Sequence, residues 1–147
     1  MAIQAYSRCW LHLIWGTYRG ERVLPRDVRI ALSEYFHQYA KSKRVYMPGN
    51  YVNADHVHCL VDLPAAYTVE QLVELLQTRS REWINRHRLI QETFRWSTGF
   101  GAFSVSQSKV KETLAYILQQ EAIHRGKSFP AEYREFIRAY RLKLRAA

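Results

Sequence analysis

Cysteine is scarce in this 147-residue chain, with only Cys9 and Cys59 present. Two thiols cannot build a disulfide framework, and a structural zinc site wants more Cys, or Cys and His at close spacing. Both lie in apolar, strand-like stretches, so two buried, reduced thiols are expected. Long apolar runs are also missing. The longest early candidate, Cys9 to Trp15, is broken by His12, and none approaches the ~20 residues of a membrane-spanning helix. A secretory signal with a small-residue cleavage site is absent as well, so the expectation is a cytoplasmic protein with no membrane partner. Acidic residues are few, 13 against 22 basic, for a net charge of +9. No repeat, low-complexity tract or linker divides the sequence, which predicts a single domain over 1–147.

What is present is a core-forming composition: 48% of residues are hydrophobic and 14% aromatic. That excludes wholesale disorder and suits one compact domain. The basic excess points toward a polyanion such as nucleic acid, and the tyrosines would suit either base stacking or a core. A strand is expected over Tyr6 to Tyr18, where Trp10, Leu11, Leu13, Ile14 and Trp15 have strong strand preference. Pro25 then opens a helix over Arg26 to Lys43, with Val28, Leu32, Tyr35, Phe36 and Tyr39 at helical spacing. Two strands, Val45 to Asn53 and His56 to Leu63, flank a turn at Ala54-Asp55. Thr68 and Gln71 have the spacing of a capping box at the start of a helix reaching about His87. A strand over Gly99 to Val105 follows. Next comes a helix capped by Ser106 or Ser108 and reaching about His124, where Gly126 stops it. A last helix runs from Pro130 to about Leu144. The order β-α-β-β-α-β-α-α predicts an α+β, ferredoxin-like antiparallel sheet with two helices on one face. The other face is left for a further helix, a partner subunit or nucleic acid.

Two local patterns carry chemistry. In Asp55-His56-Val57-His58-Cys59-Leu60-Val61-Asp62, strand alternation projects His56 and His58 together, while Val57, Cys59 and Val61 point to the core. Paired imidazoles on a rigid strand form half of a divalent metal site, although His-x-His also occurs by accident. In the third helix, Val110, Leu114 and Ile117 define a buried stripe, with Tyr116 and Gln120 four residues apart on one flank. A Gln amide oxygen could complete a metal site and a Tyr hydroxyl one turn away could attack a phosphate. A tyrosine flanking a core stripe is more often packing. Basic side chains available to DNA are Arg79, Arg81, Arg86 and Arg88 on the second helix, and Arg134, Arg138, Arg141, Lys143 and Arg145 on the last. Phosphate contacts of this kind give salt-sensitive affinity rather than sequence choice.

Taken together, these features resemble the single-tyrosine HUH transposases of the insertion-sequence 200/605 group and their REP-associated tyrosine transposase relatives. The resemblance runs through His12-Leu13-Ile14-Trp15, Asn53-Ala54-Asp55-His56-Val57-His58, Gly99 to Ser106, and Tyr116-Ile117-Leu118-Gln119-Gln120 followed by His124. It implies that His56, His58 and Gln120 hold a Mg²⁺ or Mn²⁺ ion and that Tyr116 is the nucleophile. The implied reaction nicks and rejoins single-stranded DNA with hairpins through a 5′-phosphotyrosine link and without an organic cofactor. It also implies a homodimer with joined sheets, whose active sites can be shared between subunits, although some relatives act as monomers. Two alternatives stay open at this level. One is a ferredoxin-like nucleic-acid-binding module without catalysis, and the other is a metal-dependent phosphodiesterase that activates water.

Overall fold

In the computed structural model, residues 2–142 are described. The expected helix end near Leu144, with Lys143 and Arg145, lies outside them. The elements are β1 (Trp10–Gly16), α1 (Arg26–Ser42), β2 (Tyr46–Val52), β3 (His56–Asp62), α2 (Val69–Arg86), β4 (Gly101–Ser104), α3 (Val110–Leu118), α4 (Gln120–Ile123) and α5 (Phe129–Ala139). The strands form one antiparallel sheet in the order β2-β3-β1-β4. This is the ferredoxin-like arrangement that the element order predicts. Among the described residues, no helix is long and apolar enough to cross a membrane.

The sheet has a different layer on each side. Leu11, Leu13 and Trp15 of β1 and Val57, Cys59 and Val61 of β3 join Val28, Leu32, Phe36, Leu72, Val73, Leu76 and Ile84 of α1 and α2 in the main core. Burying each such side chain contributes roughly 1.5–3 kcal/mol. α2 begins where the sequence places it. The Thr68 hydroxyl accepts from the Gln71 backbone N–H at 3.1 Å, and the Gln71 side chain accepts from the Thr68 N–H at 2.9 Å. Two otherwise orphaned donors at the helix start are thereby satisfied.

The opposite side is covered by α3, α4 and α5. A smaller apolar cluster of Trp10, Leu60 and Ile117, with Leu114 and Val110 against it, docks α3 on the sheet. Gly49 of β2 makes this approach possible, because a Cβ there would run into Leu114 Cδ1. Gly101 of β4 does the same for α5, since a Cβ would lie 2.8 Å from the Tyr133 ring. The face that the sequence leaves open for a helix is therefore filled from within the chain.

Four expectations change. β1 is shorter than Tyr6–Tyr18, and Cys9, just before it, is exposed, so only Cys59 is a buried thiol. Asp62 accounts for this edge: its carboxylate accepts from the Cys9 backbone N–H at 2.7 Å and from Arg8 at 3.0 Å, ending the ladder in a polar clasp. β4 is trimmed to Gly101–Ser104. The third helix is not continuous. A 3₁₀ turn, Gln107–Lys109, precedes α3, neither Ser106 nor Ser108 caps it through its side chain, and the chain kinks at Gln119 before α4. Finally, α5 starts at Phe129 with Ser128 as N-cap, its hydroxyl accepting from the Ala131 N–H at 3.3 Å.

Candidate active site

Strand alternation sets the first two groups. His56 and His58 are 1% and 0% exposed and face away from the main core, opposite Gly16 and Ile14 of β1. The turn before β3 is pinned on both sides. Asn53 N–H donates to the His56 carbonyl at 2.7 Å, and Thr17 N–H donates to the Asp55 carbonyl at 2.8 Å. This holds Asp55 beside the first histidine and fixes where both rings stand.

Each of three imidazoles is gripped by Nδ1 and presents Nε2 to a common point. His56 Nδ1 donates to Asp55 Oδ1 at 2.6 Å, and His124 Nδ1 donates to the Lys127 carbonyl at 2.7 Å. His58 Nδ1 is hydrogen-bonded to His12 Nε2 at 2.7 Å. Outer partners of this kind set the tautomer and the ring orientation. The three Nε2 atoms lie 3.4, 3.1 and 3.1 Å from one oxygen, Glu132 Oε1. Gln120 Oε1 stands 3.3 Å from His56 Nε2 and 3.0 Å from His124 Nε2. Asn53 Nδ2 donates to His56 Nε2 at 3.0 Å.

The second oxygen of Glu132 faces the tyrosine. Tyr116 donates its hydroxyl to Glu132 Oε2, and Gln120 Nε2 donates to the same atom at 3.0 Å. The Tyr116 ring is 6.1 Å from that of His58 and 6.2 Å from that of His12. One carboxylate thus joins the tyrosine to the histidines, all within a single chain.

The electrostatics follow from burial and these contacts. Burial, then the neighbouring His58, lowers His12 to about 3, and burial, against the raising hydrogen bond with Glu132, lowers His58 to about 4, so both are neutral near pH 7. Burial works against charge on His56 too, but hydrogen bonds to Asp55 and Glu132 outweigh it and raise its pKa. Burial opposes ionisation of Glu132, yet hydrogen bonds with His56, His58 and Tyr116 hold it far below the usual carboxylate range. Burial first, then the adjacent Glu132 carboxylate, pushes the Tyr116 phenol well above its ordinary value.

Of the residues the sequence singles out, His56, His58, Tyr116 and Gln120 come together here. Tyr116 and Gln120 converge through the kink at Gln119 rather than as adjacent turns of one helix. The arginines divide. Arg79, Arg81, Arg86 and Arg88 are exposed at α2 and just beyond it, on the far side of the sheet, with Arg79 paired to Glu82 at 3.0 Å. Arg134 and Arg138 are exposed on α5, which packs over the histidine face. The sequence reading assigns no role to His12, Asn53, Asp55, His124 or Glu132. Glu132 does leave a trace: it interrupts the stripe Phe129, Tyr133, Phe136 and Tyr140 of an otherwise arginine-rich helix. A charge on the apolar face of a helix is a sign of a buried partner.

The donor set suits a divalent cation. His56, His58, His124 and Glu132 each offer a ligand atom, and these all lie within 4.8 Å of one another. Two of the imidazoles, His56 and His124, use Nδ1–H on an acceptor outside the cluster, so in their neutral form the Nε2 lone pairs face a carboxylate oxygen, with the Asn53 amide also against that of His56. A proton on one ring would relieve one such contact, whereas a cation at the centre would relieve all of them.

Residues 5–120 match the family described as IS200-like transposases. Among solved structures, a protein assigned as a transposase from Deinococcus radiodurans R1 is similar, with 20% identity, a TM-score of 0.64, and 82% of this chain and 96% of that one covered. A REP-associated tyrosine transposase bound to a REP hairpin is also similar, at 11% identity and a TM-score of 0.58, with 84% and 74% covered. No curated protein matches the chain.

Proposed function

The chain belongs to the IS200-like transposase family, and on that premise we propose that it nicks and rejoins single-stranded DNA with Tyr116 as nucleophile. The observation that carries this reading is the meeting of Tyr116, through Glu132, with the paired histidines of β3. A phenol with an ordinary pKa of about 10 is a weak nucleophile, and here it is weaker still. Attack therefore requires loss of the proton as the bond forms, and Glu132 Oε2 is the acceptor already in contact. The Tyr116 oxygen bonds to phosphorus, the bond to the 3′ oxygen breaks, and a proton equivalent to the one taken from Tyr116 passes to the leaving oxygen, so that a 5′-phosphotyrosine and a free 3′-hydroxyl result. Attack by another 3′-hydroxyl reverses these steps and rejoins strands, so no ATP or organic cofactor is required. A Mg²⁺ or Mn²⁺ ion held by His56, His58 and Gln120 would polarise the scissile phosphate and neutralise charge on the leaving oxygen.

Single-stranded DNA with hairpins is the partner this reading expects, and the hairpin-bound relative is consistent with it. Arg134 and Arg138, exposed on the helix over the site, would meet its phosphates. A homodimer with joined sheets would use a free edge, β2 or β4. Tyr116 already stands with the histidines of its own chain, which favours an active site complete within one subunit.

The test is a denaturing gel of labelled single-stranded hairpin DNA incubated with the protein and Mn²⁺. A protein–DNA adduct that vanishes in Tyr116→Phe supports the proposal. Cleavage that survives this substitution replaces it with water activation. DNA binding without cleavage across a panel of hairpins replaces it with a binding module.

A further inference from the structure

We infer that His124 and Glu132 are metal ligands together with His56 and His58, forming a three-imidazole, one-carboxylate centre that selects a transition ion over Mg²⁺. The inference rests on the reading of this site as a metal centre and revises its ligand set. Both added residues lie beyond residue 120, where the family match ends.

Spacing gives the first argument. With metal–ligand bonds of about 2.1 Å, neighbouring donors lie about 3.0 Å apart in an octahedron and about 3.4 Å apart in a tetrahedron. Glu132 Oε1 lies 3.4, 3.1 and 3.1 Å from the Nε2 atoms of His56, His58 and His124. Those lengths match the edges that meet at one vertex of a coordination polyhedron, and the atoms come from three separate parts of the chain.

Positioning gives the second. His124 is fixed through its Nδ1 by the Lys127 carbonyl at 2.7 Å, the arrangement that outer partners impose on ligating histidines. Glu132 is delivered by α5, and Phe129 at the start of that helix stacks on the His56 ring at 3.9 Å and 8°. Charge gives the third. Glu132 is 0% exposed, and among the described residues its salt-bridge partners are the three histidines rather than a lysine or arginine. A buried carboxylate is costly without a compensating cation. An ion bound at Oε1 supplies that charge and leaves Oε2 on Tyr116, so Glu132 also positions the nucleophile against the centre.

The donor types then decide the ion. Mg²⁺ prefers oxygen ligands and retains several waters, whereas imidazole nitrogens favour later first-row ions. The expected order of affinity is Zn²⁺ above Mn²⁺ above Mg²⁺.

Calorimetric titration of the full chain with each ion alone, without DNA, tests this. Zn²⁺ should bind at least about a hundredfold more tightly than Mg²⁺. His124→Ala and Glu132→Gln should each weaken Zn²⁺ binding by about tenfold or more. Wild-type affinity in both His124→Ala and Glu132→Gln, with loss in His56→Ala, would overturn the larger ligand set and keep the two-histidine centre. Failure of the folded wild type to bind any of these ions would instead remove the metal reading on which it rests. X-ray absorption on the Zn²⁺-loaded wild type needs no variant: three imidazoles support the inference, and two overturn it.

Discussion

On β3, Val57, Cys59 and Val61 face α1 and α2, while His56, His58 and Leu60 face α3 and α5. Both sets are almost fully buried, so exposure does not separate them. The difference lies in what meets them. The first face is closed by aliphatic and aromatic side chains, and its stability comes from apolar area and close packing. The second is closed by Glu132, Gln120, Tyr116 and His124, and every one of these must find a polar partner. The first face holds the sheet together. The second uses that rigidity to keep several donors within a few ångströms of one point, at some cost in stability.

Breaking the second face should have the largest effect. His58→Ala should lower DNA cleavage by about 10³-fold, in keeping with loss of a group that stabilises developing charge. Initial rates on a protein whose far-UV circular dichroism is unchanged measure it. Breaking the first face should reverse the pattern. Phe36→Ala, at a site 0% exposed and edge-on to Trp15 at 5.7 Å, should cost about 3–5 kcal/mol in denaturant unfolding. Ion affinity of the molecules still folded should not change. Ion binding sharpens the contrast further. At a concentration near 100 times its dissociation constant, the bound ion should stabilise the wild type by about 2.7 kcal/mol. A chelator should remove that gain, and the double variant His56→Ala/His58→Ala should never show it. The smallest effect separates the two groups of arginines. Arg134→Ala or Arg138→Ala should each reduce the salt dependence of single-strand binding by about 0.7 in the log–log slope. Arg79→Ala, Arg81→Ala, Arg86→Ala and Arg88→Ala should leave that slope unchanged. A drop with the α2 variants would place DNA on the face that carries the helices of the main core.

The same contrast explains what could be read from the sequence. The core face is a matter of period, and the alternation from Val57 to Val61 and the spacing from Val28 to Phe36 both express it. So does the pairing of His56 with His58, because neighbours two apart on a strand must share a side. The capping box at Thr68 and Gln71 is equally local. Glu132 shows in the same period only as a charge interrupting an apolar stripe, and its role does not, since its partners His56 and His58 are 76 and 74 residues away and belong to another element. The break at Gln119 also escaped it. Helical spacing continues through the kink, and only the packing of α3 and α5 on the sheet decides where the chain turns. Cys9 was misplaced for a related reason: an apolar neighbourhood marks a strand, but a polar clasp at Asp62 ends it one residue later.

With ten tyrosines in the chain, the most direct measurement is to locate the covalent link itself. Protein reacted with single-stranded hairpin DNA and a divalent ion can be digested with nuclease and trypsin and sequenced by tandem mass spectrometry. The account predicts a nucleotide remnant on Tyr116, within the peptide Glu112 to Arg125. A remnant on Tyr51, Tyr133 or another tyrosine, or strand cleavage with no remnant on any, would contradict it.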